Sequence, residues 1–304
     1  MKLSHFPAIA LTLSIALLPI TARSEEKTFA QLTAAADQGD AETQYRMGQA
    51  YILGTGVKKS PAKAYEYMQK AAGQGHADAT GGIGYFHANG LIVKKDLAAA
   101  AEWFRKGADK GGPRSQLNYG RALLHGRGVE RNEAEALKWI QKALEQGLPH
   151  AQFAIGEFHF LGKYGYPQDY VKAREYLQKA ADADHAPAQN MLGALYRHGQ
   201  GVTLDFARAE TWYRKAAEQG DIKAMSNLGQ ILGPDGADPT KHVEALKWLL
   251  LAHDQNEPMA TKILNEILRT RPPEVVKEAQ KQKSEFKPRA SLEGKGPGGA
   301  PAEK

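Results

Sequence analysis

Ser60-Pro61-Ala62-Lys63 matches the S-x-x-K spacing, in which a serine nucleophile lies one helical turn from a lysine, as in penicillin-recognising enzymes. The companion S-D-N and K-T-G motifs of that chemistry do not occur in the chain. Gly199-Gln200-Gly201-Val202 has the first two glycines of a phosphate-cradling loop. A dinucleotide loop follows a strand and continues G-x-G-x-x-G, and here the third glycine position is Leu204. The nine histidines after residue 24 form no H-E-x-x-H, and no cysteine is present to complete a zinc site. His125 and His159 are the one pair whose placement would let them share an ion. Neither a metal nor a cofactor is expected.

These residues take their meaning from a repeat. GQGV at 199–202 recurs as GTGV at 54–57 and GRGV at 126–129, and a 36-residue period aligns the chain. The period places Met47-Gly48, Ile83-Gly84, Tyr119-Gly120, Ile155-Gly156, Leu192-Gly193 and Leu228-Gly229 in one register, with one extra residue in the fourth unit. A second helix carries Ala64, Ala100, Ala136, Ala173, Ala209 and Ala245, followed three residues on by Tyr67, Trp103, Trp139, Tyr176, Trp212 and Trp248. A mostly Lys-Ala-Ala run follows in units one to five, and a turn residue closes each unit: Gly75, Gly111, Gly147, Asp184, Gly220 and Asn256. Each unit is therefore a helix A, a glycine loop, a helix B and a tight turn. Glycine inside a helix costs about 1 kcal/mol relative to alanine. Its return in all six helices A predicts close backbone approach, with the Tyr or Trp of helix B filling the space nearby.

The register answers the two catalytic candidates. The glycine loop follows a helix and makes the A–B turn. Ser60 is equivalent to Asp96, Asn132, Asp169 and Asp205, all residues that cap helices, and Pro61 suits the first helical position. Ser60 is thus expected to cap helix B.

Units with L-G-x-x-Y-x-x-G-x-G-V and W-x-x-K-A-A, best formed in LGALYRHGQGVTLDFARAETWYRKAAEQG at 192–220, resemble the Sel-1-like repeat family, a relative of TPR proteins. The resemblance covers roughly 41–257. His87, Leu123 and His159 depart from the tyrosine seen at Tyr51 and Tyr196, and GPDGADP at 233–239 replaces the loop of unit six. It implies an all-α fold: a right-handed α-α superhelix, or solenoid, of about six 36-residue helix-turn-helix repeats with half-repeat caps. The caps are expected in Phe29–Gly39, which matches the end of a helix B, and Met259–Leu268, which matches a helix A with Asn265 in place of its glycine.

The ends differ from the body. Residues 1–24, with Lys2, an apolar run from Phe6 to Ile20 and Ala22-Arg23-Ser24, read as a secretory signal peptide. The solenoid is expected over 25–268 and a basic, largely disordered tail over 269–304, with a short helix within 273–286. The tail holds nine Lys/Arg against five Asp/Glu, whereas the body is balanced, so nothing favours nucleic acid. After signal cleavage neither a membrane span nor a lipid anchor is expected, since no cysteine can carry one. The expected product is a monomer in the periplasm or outside the cell.

The resemblance places helices A on the concave side and implies a protein partner of unknown identity. Three variable positions per helix A, spaced i, i+3, i+7, fall on one face. They nominate Arg46, Gln49, Tyr85, Asn89, Asn118, Arg121, His125, Glu157 and His198 as partner-binding residues, with no catalytic residue. Tyr85 and Arg121 are the types that anchor interfaces. The expected role is an adaptor or regulator. An immunity protein neutralising a secreted toxic effector is the alternative, and a β-lactam or cell-wall enzyme a further one.

Overall fold

The computed structural model describes residues 29–233, 239–269 and 271–289. The expected signal peptide, the loop of unit six and residues 290–304 lie outside this range. Among the described residues there are fifteen helices and no strand. They are α1 (Phe29–Asp37), α2 (Ala41–Leu53), α3 (Pro61–Gly73), α4 (Ala77–Asn89), α5 (Leu97–Asp109), α6 (Pro113–His125), α7 (Glu133–Glu145), α8 (Pro149–Leu161), α9 (Tyr170–Asp182), α10 (Ala186–His198), α11 (Phe206–Glu218), α12 (Ile222–Ile231), α13 (Pro239–Asp254), α14 (Pro258–Ile267) and α15 (Pro273–Glu285). The even-numbered helices α2 to α12 are helices A, and the odd-numbered α3 to α13 are their helices B. α1 and α14 are the half-repeats at the ends. No described helix is long and apolar enough to cross a membrane.

Local chemistry sets both ends of each helix. Helices α2, α4, α6, α8 and α10 stop at Gly54, Gly90, Gly126, Gly162 and Gly199, each left-handed. The loop is then closed by one recurring bond. The N–H of the cap residue of helix B donates to a carbonyl late in helix A: Ser60 to Tyr51, Asp96 to His87, Asn132 to Leu123, Asp169 to His159 and Asp205 to Tyr196. This bond uses the backbone alone, which explains why the side chain at the second position drifts among Tyr, His and Leu. The cap side chains accept from the N–H three residues on, at 3.4 Å for Ser60 and 2.9–3.0 Å for the other four. The B–A turns pass through positive φ at Gly75, Gly111, Gly147 and Gly220, and equally at Asp184 and Asn256.

The A–B contact explains the helical glycines. A Cβ on Gly48, Gly84, Gly120, Gly156, Gly193 or Gly229 would lie 2.8–3.3 Å from the carbonyl oxygen of Ala64, Ala100, Ala136, Ala173, Ala209 or Ala245 in the facing helix. The recurring glycine and the recurring alanine are the two sides of one contact. The side chain filling the space is not the expected Tyr or Trp but the next residue: Met68, Phe104, Ile140, Leu177, Tyr213 or Leu249. The expectation was one position off because 100° of helix rotation separates neighbours. In units one to five the aromatic ring lies half-buried beside it, under the lysine three residues on. Lys70, Lys106, Lys142, Lys179 and Lys215 stand 4.0–5.5 Å from the rings of Tyr67, Trp103, Trp139, Tyr176 and Trp212.

Unit six breaks this pattern. Leu251 stands in the lysine position, and Trp248 is buried, with Phe286 edge-on at 5.1 Å. α15 packs on α13 through Val275, buried Ala279 and Phe286. Beyond it Arg289 donates its backbone N–H to Glu218 O at 2.7 Å and its guanidinium to Asp184 at 2.9 and 3.1 Å. The short helix expected within 273–286 corresponds to α15, and the described chain continues packed to Arg289. The apolar spacing 275, 279, 286 gives this segment a face to bury.

Three substitutions test this account by thermal denaturation. Gly84→Ala, which meets Ala100 O at 2.8 Å and the Phe104 ring at 2.9 Å, should lower stability by about 1–3 kcal/mol despite its better helix propensity. Gly73→Ala, at a helical glycine with nothing within 4 Å, should leave stability equal or higher. Ile92 occupies the second glycine position of its loop at φ 67, is 57% exposed, and carries a β-branched side chain. Ile92→Gly should therefore raise the melting temperature, and a fall would refute the strain argument.

Candidate functional site

Consecutive helices A touch, α4 against α6 and α10 against α12, and form a row. The row carries polar contacts between units. Asn227 donates to Asn190 Oδ1 at 2.9 Å, and Arg197 reaches Gln230 Oε1 at 3.4 Å. Ser115 donates its N–H to Asp78 Oδ1 at 3.1 Å and its hydroxyl to the same oxygen at 3.2 Å. His150 and His185 meet edge-to-face with centroids 4.5 Å apart, and Phe153 lies 4.9 Å from His185.

The nine nominated residues all lie on these helices, but not all are on display. Arg46 is exposed and paired with Glu42 at 2.8 Å. Gln49 donates to the Tyr45 hydroxyl, and Asn89 donates back to the Tyr85 carbonyl, each at 2.8 Å. Tyr85, Arg121 and Glu157, one residue from each of three successive units, are partly buried. His125 and His198 are exposed near the far ends of α6 and α10. Asn118 is a correction: at 7% exposure it belongs to the packed floor of the row, because Ser115, Leu117 and Tyr119 around it are also buried.

A further column was missed. Glu42, Asp78, Arg114 and His150 stand four residues before the first nominated position, on the same helix face. The pattern was readable, since these positions vary as strongly as the others. They set the electrostatics of the floor. Glu42 accepts from His76 Nε2 at 3.0 Å and from Arg46, which holds its carboxyl at about 2. Burial pushes the Asp78 carboxyl up, opposed by its Ser115 bonds and by Arg114. Burial, with Arg121 and Arg114 nearby, holds His185 down at about 3, and burial with His185 and both arginines holds His150 well below its ordinary value. His185 Nδ1 accepts the Ala188 N–H at 3.3 Å, so its neutral ring also caps α10.

Neither catalytic candidate gains support from the geometry. Ser60 has extended backbone and its oxygen accepts the Lys63 N–H, as a helix cap. Gly199 and Gly201 are left-handed loop residues following α10. His125 and His159 do not form a metal cluster among the described residues. His159 is buried, its Nδ1 3.3 Å from the Pro167 carbonyl.

The Sel1 repeat profile matches six consecutive stretches, residues 41–76, 77–112, 113–148, 149–185, 186–221 and 222–257. The chain belongs to the Sel1-repeat family. No curated protein matches it in sequence. Among solved structures it is similar to a Sel1 repeat protein from Oxalobacter formigenes, at 30% identity and TM-score 0.57, over 73% of this chain and 89% of that one. It is also similar to a protective antigen of uropathogenic Escherichia coli with an SLR fold, at 30% identity and TM-score 0.56. That match covers 84% of this chain, which spans about 56% of the antigen's length. The Sel1 repeat is a protein–protein interaction fold.

The buried histidines yield a pH dependence. Their folded pKa values lie below the unfolded value near 6.5, so the unfolded chain binds more protons as pH falls, and stability present above about 6.5 is lost towards pH 3. For His185 alone the loss reaches about 3 kcal/mol at pH 4. His185→Asn keeps a cap acceptor but does not titrate. It should flatten the decline of melting temperature between pH 6.5 and 4, and an unchanged slope would show that His185 does not contribute.

Proposed function

We propose that this protein is exported to the periplasm or beyond and acts there as a non-enzymatic adaptor, holding a protein partner on the row of helices A. The observation that carries the reading is the division of labour within the repeat. The recurring Gly, Ala and large apolar positions pack A against B. The columns of Glu42, Asp78, Arg114 and His150, of Arg46 and Asn118, of Gln49, Tyr85, Arg121 and Glu157, and of Asn89, His125 and His198 recur in place but not in chemistry. Their approach from unit to unit favours this row as the inside of the curve. Export rests on the N-terminal sequence, with its basic, apolar and small-residue segments in order.

Site-specific photocrosslinking tests the docking face. A benzoylphenylalanine at Tyr85, on the row, and another at Glu102, exposed on α5, are compared in an envelope extract of the source organism. Crosslinks from position 85 that exceed those from 102 by tenfold or more support the reading, and equal yields reject it. One stoichiometric toxin would identify the adaptor as a neutralising protein. Sensors or secretion components would identify it as a scaffold. If no protein is retained while nitrocefin is hydrolysed in a Ser60-dependent way, the enzyme reading replaces this one.

A further inference from the structure

The large apolar side chains left in water are not spread evenly. Among the described residues they are Ile92, Leu97, Leu161, Val171, Leu204 and Phe206, with Met259 and Leu268 at the terminal half-repeat. The first six all stand where a helix A passes into its helix B. Single exposed apolar residues are ordinary on a protein surface, but their confinement to one edge of a solenoid is not. Ile92 carries the largest cost. It holds a left-handed conformation at φ 67 with a β-branched side chain that is 57% exposed, while Leu91 and Val93 on either side pack against the core. Strain of this kind at a side chain that packs against nothing points to a role outside the fold.

The A–B junctions join into one edge because each loop lies on the unit before it. A Cβ on Gly128 would strike the Leu97 carbonyl at the start of α5, and one on Gly201 would lie 2.5 Å from the Tyr170 carbonyl at the start of α9. The edge is also basic. The loops 54–60, 90–96, 126–132, 162–169 and 199–205 hold seven Lys/Arg against four Asp/Glu. Three of those acids, Asp96, Asp169 and Asp205, accept a backbone N–H as helix caps. Lys58, Lys59, Lys94, Lys95 and Lys163 are exposed. The B–A turns carry the opposite balance, Lys110 against Asp40, Asp184, Asp221 and Glu257. Charge balances over the body as a whole, but a surface within a Debye length of about 8 Å responds mainly to the nearer edge.

We propose that this edge rests on an anionic lipid bilayer. Ile92, Leu97, Val171, Leu204 and Phe206 enter the headgroup layer, and the loop lysines lie over the phosphates. A bilayer suits the pattern better than a protein does. The apolar side chains come singly from separate junctions with charged residues between them, whereas the core of a protein interface is depleted of charge. Lipid headgroups fill the space between separated side chains, and binding follows from buried apolar area together with attraction to anionic lipid. Lysine stems can lie along the apolar layer while their ammonium groups stay with the phosphates. The inference does not depend on the row of helices A being a docking face, since it concerns the edge where those helices end.

The test uses the protein from residue 25 to 304, which keeps every described residue and removes the apolar N-terminal run that would itself bind lipid. Flotation compares vesicles of phosphatidylcholine alone with vesicles of phosphatidylcholine and phosphatidylglycerol in equal parts. Binding to the mixed vesicles should be at least tenfold stronger, and should fall tenfold or more at about 1 M salt, where the Debye length is about 3 Å. Ile92→Gly combined with Leu204→Ser and Phe206→Ser should weaken binding at least tenfold with no fall in melting temperature. Lys94→Gln with Lys95→Gln should weaken it several-fold. Met259→Ser, at a residue exposed but off the edge, should bind like the parent. The chain has no cysteine, so Phe206→Cys accepts a single polarity-sensitive fluorophore. Its emission should shift to the blue on mixed vesicles, and that of a label at Met259→Cys should not. Equal affinity for the two vesicles, binding to neither, or undiminished binding of the triple variant would overturn the inference. A several-degree drop in the melting temperature of the triple variant would also overturn it, by showing that these side chains serve the fold. Self-association in solution that the triple variant loses would assign the edge to a second copy of this chain instead. Position-85 crosslinks are independent of all these outcomes, so failure of the lipid contact leaves the docking row standing.

Discussion

The approach of a helix A glycine to a helix B carbonyl is the constraint on which the rest of the molecule depends. At 2.8–3.3 Å from a virtual Cβ to the facing carbonyl oxygen, the two backbones are closer than a side chain usually allows, and this holds in all six units. The closeness fixes alanine opposite the glycine and sends the next large side chain, Met68 or its equivalents, into the space beside it. It also leaves the B-helix aromatic on the flank, where a lysine stem can cover its ring. Helix propensity is sacrificed at one position per unit, and a dense A–B pair is obtained without a thick aliphatic core. The Ala- and Gly-rich composition follows from this geometry.

A solenoid must also end, and here the ends are chemically distinct from the units. α14 places exposed Asn265 where a glycine would stand, since no helix B approaches it. On the other flank, Leu251 stands where the other units have a lysine, Lys247 lies 4.1 Å from the Trp248 ring instead, and the apolar strip is closed by α15 and Phe286. Arg289 then reaches back to Asp184, a turn residue held at positive φ where most units use glycine. The Asp184 carboxylate also accepts from Gln189 and Gln219 at 3.0 Å. A strained backbone position thereby gains a group that joins three segments of the chain.

The fold was legible because its signals are backbone signals repeated six times. Glycine at the left-handed cap, Ser, Asp or Asn at the helix start, and the A-helix glycine each reflect a local steric or hydrogen-bonding need that a sequence records directly. The helix at 273–285 was legible only as a short segment. Its docking depended on reading Leu251 as a missing lysine, a single deviation against five regular units. The site was half legible. Periodicity nominated the face of helices A and the residues Tyr85, Arg121 and Glu157, but it could not separate a displayed Asn from a floor Asn such as Asn118. It also stopped one turn short of Asp78, Arg114 and His150, whose importance lies in contacts between units that no period within one unit encodes.

The electrostatics of the row follow from that floor. His150 and His185 remain neutral beside two arginines because burial and mutual proximity oppose further positive charge. Neutral rings can pack edge-to-face at 4.5 Å and cap α10, whereas charged ones could do neither at low cost. Positive charge in the central row is carried by Arg114, close to Asp78, and by Arg121, attracted by Glu157. Over the body as a whole acids and bases balance, so long-range attraction does not select a partner. Any selection on this face must come from short-range chemistry, and the half-buried Tyr85, Arg121 and Glu157 of three successive units are its most chemically distinct side chains.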